Sequence, residues 1–205
     1  MGGFTYESEV ITSIPPPKMF KACILDGDTL IPKIVPQVFK SVEYIEGNGE
    51  PGSIRKVTFA QGNQFNYMKQ KVEALDREKF EYIYSVIEGD PLMNMLDKIT
   101  YEIKLEASPG GGSMCKTSSK YYTIGDIELK EEAIKAGKEK ASGVLFKAIE
   151  AYLLLEHWQH TSIKFASRAK RNRSRKENKQ NNKMKLECTA EIFNFQHLLA
   201  NPDAF

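Results

Sequence analysis

The chain has 205 residues, of which 41% are hydrophobic and 27% are charged. This balance is typical of a globular protein and excludes the collagen-like, low-complexity and largely disordered classes. A chain of this length forms one well-buried domain with an appendage, or two very small domains, and we expect a single main domain. No apolar run approaches the length of a membrane-spanning helix, so we expect no membrane partner.

Charge is divided unevenly along the chain. The whole chain has 29 Lys and Arg against 27 Asp and Glu, a net charge of +2. Residues 155–198 carry ten Lys and Arg against four Glu, which is +6, and the remainder carries 19 against 23, which is −4. The main domain is therefore mildly acidic. This argues against nucleic-acid binding by that domain, because phosphate contacts need clustered cations.

The amino terminus and the cysteines indicate a cytoplasmic protein. The opening MGGFTYESEV lacks the basic and then apolar segments of a secretion signal. The cysteines, Cys23, Cys115 and Cys188, are odd in number and far apart. This spacing fits a reducing compartment and argues against a disulfide framework or a zinc site.

The hydrophobic pattern predicts an α+β domain. Residues 3–12 alternate like a strand, and three prolines then end the strand and favour the start of a helix. Two short helices are predicted at 18–25 and about 28–33, the second broken near Pro32. Six further strands are predicted from alternation and turn residues: 38–46, 53–60, 65–75, 79–87, 98–107 and 113–124. Short connections favour a seven-stranded antiparallel meander, and residues 129–154 show the spacing of a long helix.

The stretch GNGEPG at residues 47–52 matches the dinucleotide-binding pattern G-x-G-x-x-G. In that motif the glycines lead into a helix, whose N-terminal amides hold the pyrophosphate. Here residues 53–60 alternate like a strand. We therefore predict a hairpin loop in which Gly47, Gly49 and Gly52 supply positive φ angles. A phosphate-binding nest of backbone amides is the alternative.

Several ordered motifs carry a family resemblance. They are FKACILDGDTLIPKIVPQ, EGNGEPGSIRKVTF, YSVIEGD, KITYEIKLEASPGGGS, KYYTIGD and the terminal LLANPDAF. With these motifs the chain resembles the major birch pollen allergen (Bet v 1) family of plant pathogenesis-related class-10 proteins. The resemblance implies a helix-grip fold, in which a seven-stranded antiparallel curved sheet wraps around a long C-terminal helix. Two short helices would close one end, and an internal hydrophobic cavity would lie between sheet and helix.

The resemblance also implies a function. Members are plant defence or stress proteins that reversibly bind amphipathic small molecules, such as flavonoids, cytokinins, brassinosteroids or abscisic-acid-like compounds, and many are allergens. We expect an intracellular monomer without a cofactor, in the cytoplasm and alternatively also in the nucleus. Two other functions stay open: a ribonuclease or RNA-binding protein, and a hormone receptor that inhibits a protein phosphatase.

Arg55, Val57 and Phe59 share one face of a predicted strand. If that face lines a cavity, a guanidinium enters an apolar space, where an unpaired charge is costly. We therefore take Arg55, which stands where the family has lysine, as a candidate donor to a ligand hydroxyl or carboxylate, with Phe59 beside it. The alternative is that Arg55 pairs with an internal carboxylate.

Three tyrosines complete the candidate binding site. Tyr82 and Tyr84 share a strand face with Val86, and Tyr101 stands on the apolar face of its own strand. All three tyrosines match ligand-contacting positions of the family, where an apolar ring with a polar tip suits partly polar ligands. The alternative is that this aromatic stripe is simply core.

The predicted domain offers little for catalysis. His157, His160 and His197 all lie within 155–198, so residues 1–154 have no histidine for acid–base work near neutral pH. Ribonuclease activity would depend on residues that resemble positions proposed in the family: Glu46, Lys56, Glu150 and Tyr152. We assign no catalytic residue, and an enzyme is the less favoured interpretation.

Residues 155–198 separate the predicted ligand-binding domain, 1–154, from a family-like ending at 199–205. This insertion contains the only tryptophan, and its stretch 168–185 has nine Lys and Arg and one Glu. Such a block is expected to be disordered, because like charges repel and little can be buried. Three interpretations stay open: an unspliced or wrongly assigned segment, a solvated tail, or a basic arm for nuclear entry or RNA contact.

Overall fold

The computed structural model describes residues 3–125, 127, 129 and 131–169. The helical elements are α1 (Pro16–Phe20), a π-helical segment (Lys21–Leu25), α2 (Gly27–Ile34), a 3₁₀ turn (Asp90–Leu92) and α3 (Glu131–Ala169). The strands are β1 (Gly3–Thr12), β2 (Phe39–Glu46), β3 (Ile54–Phe59), β4 (Tyr67–Asp76), β5 (Glu81–Gly89), β6 (Leu96–Ala107) and β7 (Ser113–Thr123). Strands and helices are segregated along the chain, so the predicted α+β class is confirmed.

The seven strands form one antiparallel sheet in the order β1-β7-β6-β5-β4-β3-β2. Strands β2 to β7 pair consecutively, as the short connections predict. β1 differs from a simple meander, because it pairs with β7 along its whole length, from Gly3↔Tyr122 to Thr12↔Ser113. Register shifts in β2, β4 and β6 mark irregularities that bend strands and help a sheet to curve.

Short helices connect β1 to β2, as predicted. The carbonyl of Pro15 accepts the N–H groups of Lys18 and Met19 at the start of α1. α2 continues through Pro32, whereas the sequence predicts a break there. Proline removes one helical hydrogen bond, and the packing of Ile31 and Ile34 against Ala148 of α3 and its neighbours helps to offset that loss.

The main core lies between the sheet and α3. Met19 and Phe20 of α1 are almost completely buried. They belong to one apolar cluster with residues of two strands and of α3: Val72, Leu105, Phe146, Ile149 and Leu153. Burial of these side chains fixes α3 across the sheet, since burying each large apolar side chain contributes about 1.5–3 kcal/mol.

α3 continues to Ala169, beyond the end predicted at residue 154. The expectation of disorder therefore differs from the structure over 155–169, where the chain is helical. Residues such as Leu, Gln, Lys and Ala favour a helix, and extending an existing helix needs no new nucleation. Residues 170–205, with most of the basic run and the family-like ending, lie outside the described residues, so the domain division stays a prediction. None of the described helices contains an apolar stretch sufficient to span a lipid bilayer.

Candidate functional site

A pocket lies between the sheet, α2 and α3, with a volume of about 270 Å³. This volume is near the lower end of the range for small-molecule sites in proteins. Its apolar walls include residues of α2 and α3: Ile31, Leu145, Phe146 and Ile149. The sheet supplies most of its polar groups, which include Gln70, Tyr82, Tyr84, Tyr101, Thr117 and Ser119. The pocket thus combines an apolar interior with a few hydrogen-bonding groups.

The three predicted tyrosines come together on the sheet side of the pocket. Tyr84 lies directly opposite Tyr101 in the β5–β6 register, and their rings stack with centroids 4.9 Å apart. Tyr82, two residues along β5, has its ring 5.6 Å from that of Tyr84. Burial raises the pKa of the Tyr84 and Tyr101 phenols above the ordinary value. Burial also raises the pKa of Tyr82, so all three phenols are neutral at physiological pH.

Arg55 also lines the pocket, and it pairs with an internal carboxylate. Its Nη1 donates to Oδ1 of Asp28, at the start of α2, and its Nε donates to Oε1 of Gln70 at 2.8 Å. The Arg55 and Asp28 side chains are only 14% and 18% exposed. Of the two interpretations of Arg55, the structure shows the ion pair. The guanidinium still faces the pocket, so a ligand contact remains compatible with this pair.

Tyr44 of β2 is a second donor to the same carboxylate. Its hydroxyl donates to Oδ2 of Asp28 at 2.5 Å. Partial burial and this hydrogen bond to Asp28 raise the pKa of Tyr44 to about 12. The pair of donors connects α2 to β2 and β3 at the pocket wall.

Phe59 is not among the residues that line the pocket. Its ring instead contacts Phe39 at 5.5 Å and Phe65 at 6.0 Å between centroids. Alternation correctly predicts a shared face for Arg55, Val57 and Phe59, but the pocket does not reach the end of β3 where Phe59 lies. The structure therefore does not support Phe59 as a ligand contact.

The glycine-rich segment 47–52 is the loop between β2 and β3, as predicted. Gly47, Gly49 and Gly52 have φ angles of 75°, 101° and 94°, which confirms the positive φ expected of them. The N–H groups of Asn48 and Gly49 donate to Oγ of Ser53 at 3.2 and 3.0 Å. These amides are satisfied within the loop, and strand β3 follows it. The loop has the form of a structural hairpin and lacks the helix of a nucleotide site.

The residues considered for ribonuclease activity do not form one site. Lys56 lies on the other face of β3 from Arg55, with its Nζ 5.2 Å from the ring centre of Tyr67. Glu150 is buried on α3, where Oε1 accepts the N–H and hydroxyl of Ser13 and Oε2 pairs with Lys147 at 2.7 Å.

The other two residues also have separate surroundings. The Tyr152 hydroxyl donates to Glu156 at 2.6 Å, and Glu46 is exposed at the end of β2. Among the described residues no His, Cys, Asp and Glu side chains are grouped as a metal ion would need.

The sequence pattern does not identify the two polar partners of Arg55 in the site, Asp28 and Gln70. Asp28 stands in a short helix, and its charge alone gives no sign of which face it takes. Gln70 lies on β4 opposite Arg55 in the β3–β4 register. A strand pairing of β3 with β4 predicts this neighbour, because directly opposed side chains interact.

The fold defines a class: α+β proteins in which a seven-stranded antiparallel sheet packs against a long helix, here with a pocket between them. The chain belongs to the pathogenesis-related protein Bet v 1 family, whose model matches residues 1–156. The resemblance found in the sequence is therefore confirmed.

Named relatives and a solved structure support this family membership. The chain is 56% identical to major allergen Pru av 1 of Prunus avium over 153 residues, which are 75% of this chain and 95% of the relative. It is also 56% identical to major strawberry allergen Fra a 1-D of Fragaria ananassa, again over 153 residues that are 75% of this chain and 95% of the relative. The crystal structure of Ara h 8.0201 is similar with a TM-score of 0.65 and 40% identity, covering 75% of this chain and 99% of that one. The chain is thus a pathogenesis-related protein of allergen type.

A more distant structure shows the same fold. Norcoclaurine synthase from Thalictrum flavum, in complex with dopamine and hydroxybenzaldehyde, matches with a TM-score of 0.61 and 24% identity, covering 76% of this chain and 88% of that one.

Proposed function

We propose that this protein reversibly binds amphipathic plant small molecules in the pocket between sheet and α3, as part of an intracellular defence or stress response. The observation that carries the proposal is the tyrosine cluster of Tyr82, Tyr84 and Tyr101 in the pocket wall. Their clustered rings offer apolar surface to a planar ligand, and their neutral hydroxyl groups offer hydrogen bonds to its polar edge. Flavonoids, cytokinins and brassinosteroids have this combination of rings or apolar skeleton with hydroxyl or amine groups.

The size and composition of the pocket support small ligands rather than polymers. A volume of about 270 Å³ is of the order of small-molecule sites in proteins. Norcoclaurine synthase, which has a similar fold, is solved in complex with two single-ring aromatic compounds, dopamine and hydroxybenzaldehyde. The buried free thiols of Cys23 and Cys115 fit the proposed intracellular location.

The alternatives have weaker support. RNA cleavage would need Glu46, Lys56, Glu150 and Tyr152 to act on one substrate, and these residues have separate surroundings. Inhibition of a protein phosphatase by a ligand-bound receptor stays a prediction from the family resemblance.

The test is binding of the neutral fluorescent probe phenylnaphthylamine to the full-length protein, followed by displacement with a flavonoid, a cytokinin and a brassinosteroid. We expect probe binding and displacement by at least one class. Tyr101→Leu should weaken probe binding about three- to tenfold, because it removes an aromatic stack. Tyr122→Leu is the matched control, since Tyr122 is the neighbour of Tyr121 in β7, contacts Lys98 and lies outside the pocket lining. Probe binding that is absent, or equally affected by both variants, would contradict the proposal.

A further inference from the structure

The pocket wall contains two charged residues among its described lining, Asp28 and Arg55, and they carry opposite charges. The remaining lining residues are apolar, aromatic or neutral and polar. The charges of the described lining therefore sum to zero, although this lining contains a guanidinium. A ligand that enters the pocket meets Arg55 already paired with Asp28.

The surroundings of Arg55 make this pair strong. Nη1 donates to Asp28 and Nε to Gln70, so two of the five N–H groups of the guanidinium are used. The guanidinium carbon also lies 5.7 Å and 5.9 Å from the ring centres of Tyr82 and Tyr84, within the range of cation–π attraction. Low exposure of both charged side chains limits the screening of their attraction by water.

An anionic ligand group would have to compete with Asp28 for the guanidinium. It would lose its own hydration and would also meet the repulsion of the Asp28 carboxylate a few ångströms away. A neutral hydroxyl or carbonyl can accept a remaining N–H group of Arg55 without disturbing the pair. A neutral ligand therefore keeps the hydrogen bond and avoids the repulsion.

We propose that Asp28 is a specificity-determining residue, which neutralises Arg55 so that the pocket takes neutral amphipathic ligands and discriminates against carboxylates and sulfonates. This inference depends on the proposed small-molecule binding and names its ligand class. Among the compounds considered above, it favours flavonoids, cytokinins and brassinosteroids over abscisic-acid-like carboxylates.

The test uses two probes that share a skeleton and differ in one charge: neutral phenylnaphthylamine and anionic anilinonaphthalene sulfonate. The measured quantity is the ratio of the Kd for the sulfonate to the Kd for the neutral probe, obtained by fluorescence titration of the full-length protein. We expect a ratio above one for the unsubstituted chain. Asp28→Asn should lower the ratio about tenfold, since it leaves the cation without a partner charge.

Matched variants separate this local effect from net charge. Asp97→Asn makes the same chemical change at an exposed position of β6 that does not line the pocket, and it should leave the ratio unchanged. Arg55→Gln should raise the ratio, because the Asp28 carboxylate then has no partner charge. The double variant Asp28→Asn with Arg55→Gln removes both charges and should return the ratio towards that of the unsubstituted chain.

The outcomes are distinguishable. An unchanged or higher ratio in Asp28→Asn, with the neutral probe still bound, overturns the inference and leaves the proposed function standing. Failure of the neutral probe to bind the unsubstituted chain overturns the proposed function and the inference with it. If circular dichroism shows that Asp28→Asn does not fold, Arg55→Gln and the double variant decide, and a ratio in Arg55→Gln at or below that of the unsubstituted chain overturns the inference.

Discussion

Glu150 shows how one buried carboxylate is kept ionised. Burial by itself raises the pKa of Glu150, but the hydrogen bonds from Lys147 and from the N–H and hydroxyl of Ser13 together lower it below the ordinary value. A group whose pKa is lower in the folded protein stabilises the fold above its unfolded pKa. That contribution is lost as the pH falls through the folded pKa.

The resulting prediction concerns Glu150→Gln. At about pH 7 the substitution should lower the free energy of unfolding by about 1–2 kcal/mol, because hydrogen bonds to a charged acceptor are replaced by weaker ones. At about pH 3, below the ordinary pKa of glutamate, the two proteins should differ less, because part of this contribution is lost as Glu150 becomes protonated. Urea unfolding at both pH values measures the effect. Glu78→Gln, at an exposed turn position, is the control and should be silent at both. An equal loss at both pH values would mean that the shape of the side chain matters and its charge does not.

At the scale of the element, two glycines of the glycine-rich loop show how backbone conformation and side-chain contact contribute separately to stability. Gly47 and Gly52 both have positive φ, but a Cβ at Gly47 would lie 2.4 Å from Oγ of Ser53, whereas a Cβ at Gly52 would have no atom within 4 Å. Gly52→Ala should therefore cost about 1–2 kcal/mol from backbone strain alone. Gly47→Ala should cost more, because Ser53 must move and its hydrogen bonds from Asn48 and Gly49 are disturbed.

Thermal unfolding of both glycine variants provides the measurement, and Gly62→Ala adds a second control with positive φ and open space. If Gly47→Ala and Gly52→Ala lower the melting temperature equally, the close approach to Ser53 makes no contribution to the loss of stability. Binding of phenylnaphthylamine to each folded variant then shows whether the loop also affects the pocket.

The elements differ in how well local sequence predicts them. Strands β2 to β7 follow from alternation and short turns, because both are local properties of the chain. The pairing of β1 with β7 does not follow, since it joins distant segments and depends on closure of the whole sheet. The pocket residues also differ in how well the sequence predicts them. Alternation places Tyr82, Tyr84 and Arg55 on inner strand faces. Asp28, the partner of Arg55, lies on a helix whose orientation depends on tertiary packing. The continuation of α3 to Ala169 does not follow from the charge pattern, because the like charges of this segment favour disorder, whereas the helix propensity of its first part favours a helix.

At the scale of the whole molecule, the described core is complete before residue 155. Phe146, Ile149 and Leu153 are the last residues of α3 in the main apolar cluster. The match to the family also ends at residue 156. Stability of the domain should therefore depend little on the insertion, because burial of apolar surface dominates folding.

The last prediction follows from this boundary. A variant that lacks 155–198 and joins residue 154 to 199 should fold, bind phenylnaphthylamine with unchanged affinity and unfold in urea within about 1 kcal/mol of the full chain, as expected when no core side chain is lost. A deletion of the same kind that starts at residue 146 is the contrasting variant, since it removes buried side chains of the core and should not fold. If the free energy of unfolding of the variant lacking 155–198 is lower by several kcal/mol, or the variant no longer binds the probe, then the insertion stabilises the domain. That result would contradict the interpretation of the insertion as a neutral tail or as a wrongly assigned segment. Peptide mass spectrometry across the junction of residues 154 and 155 in protein from the plant decides separately whether the accumulated chain contains the insertion.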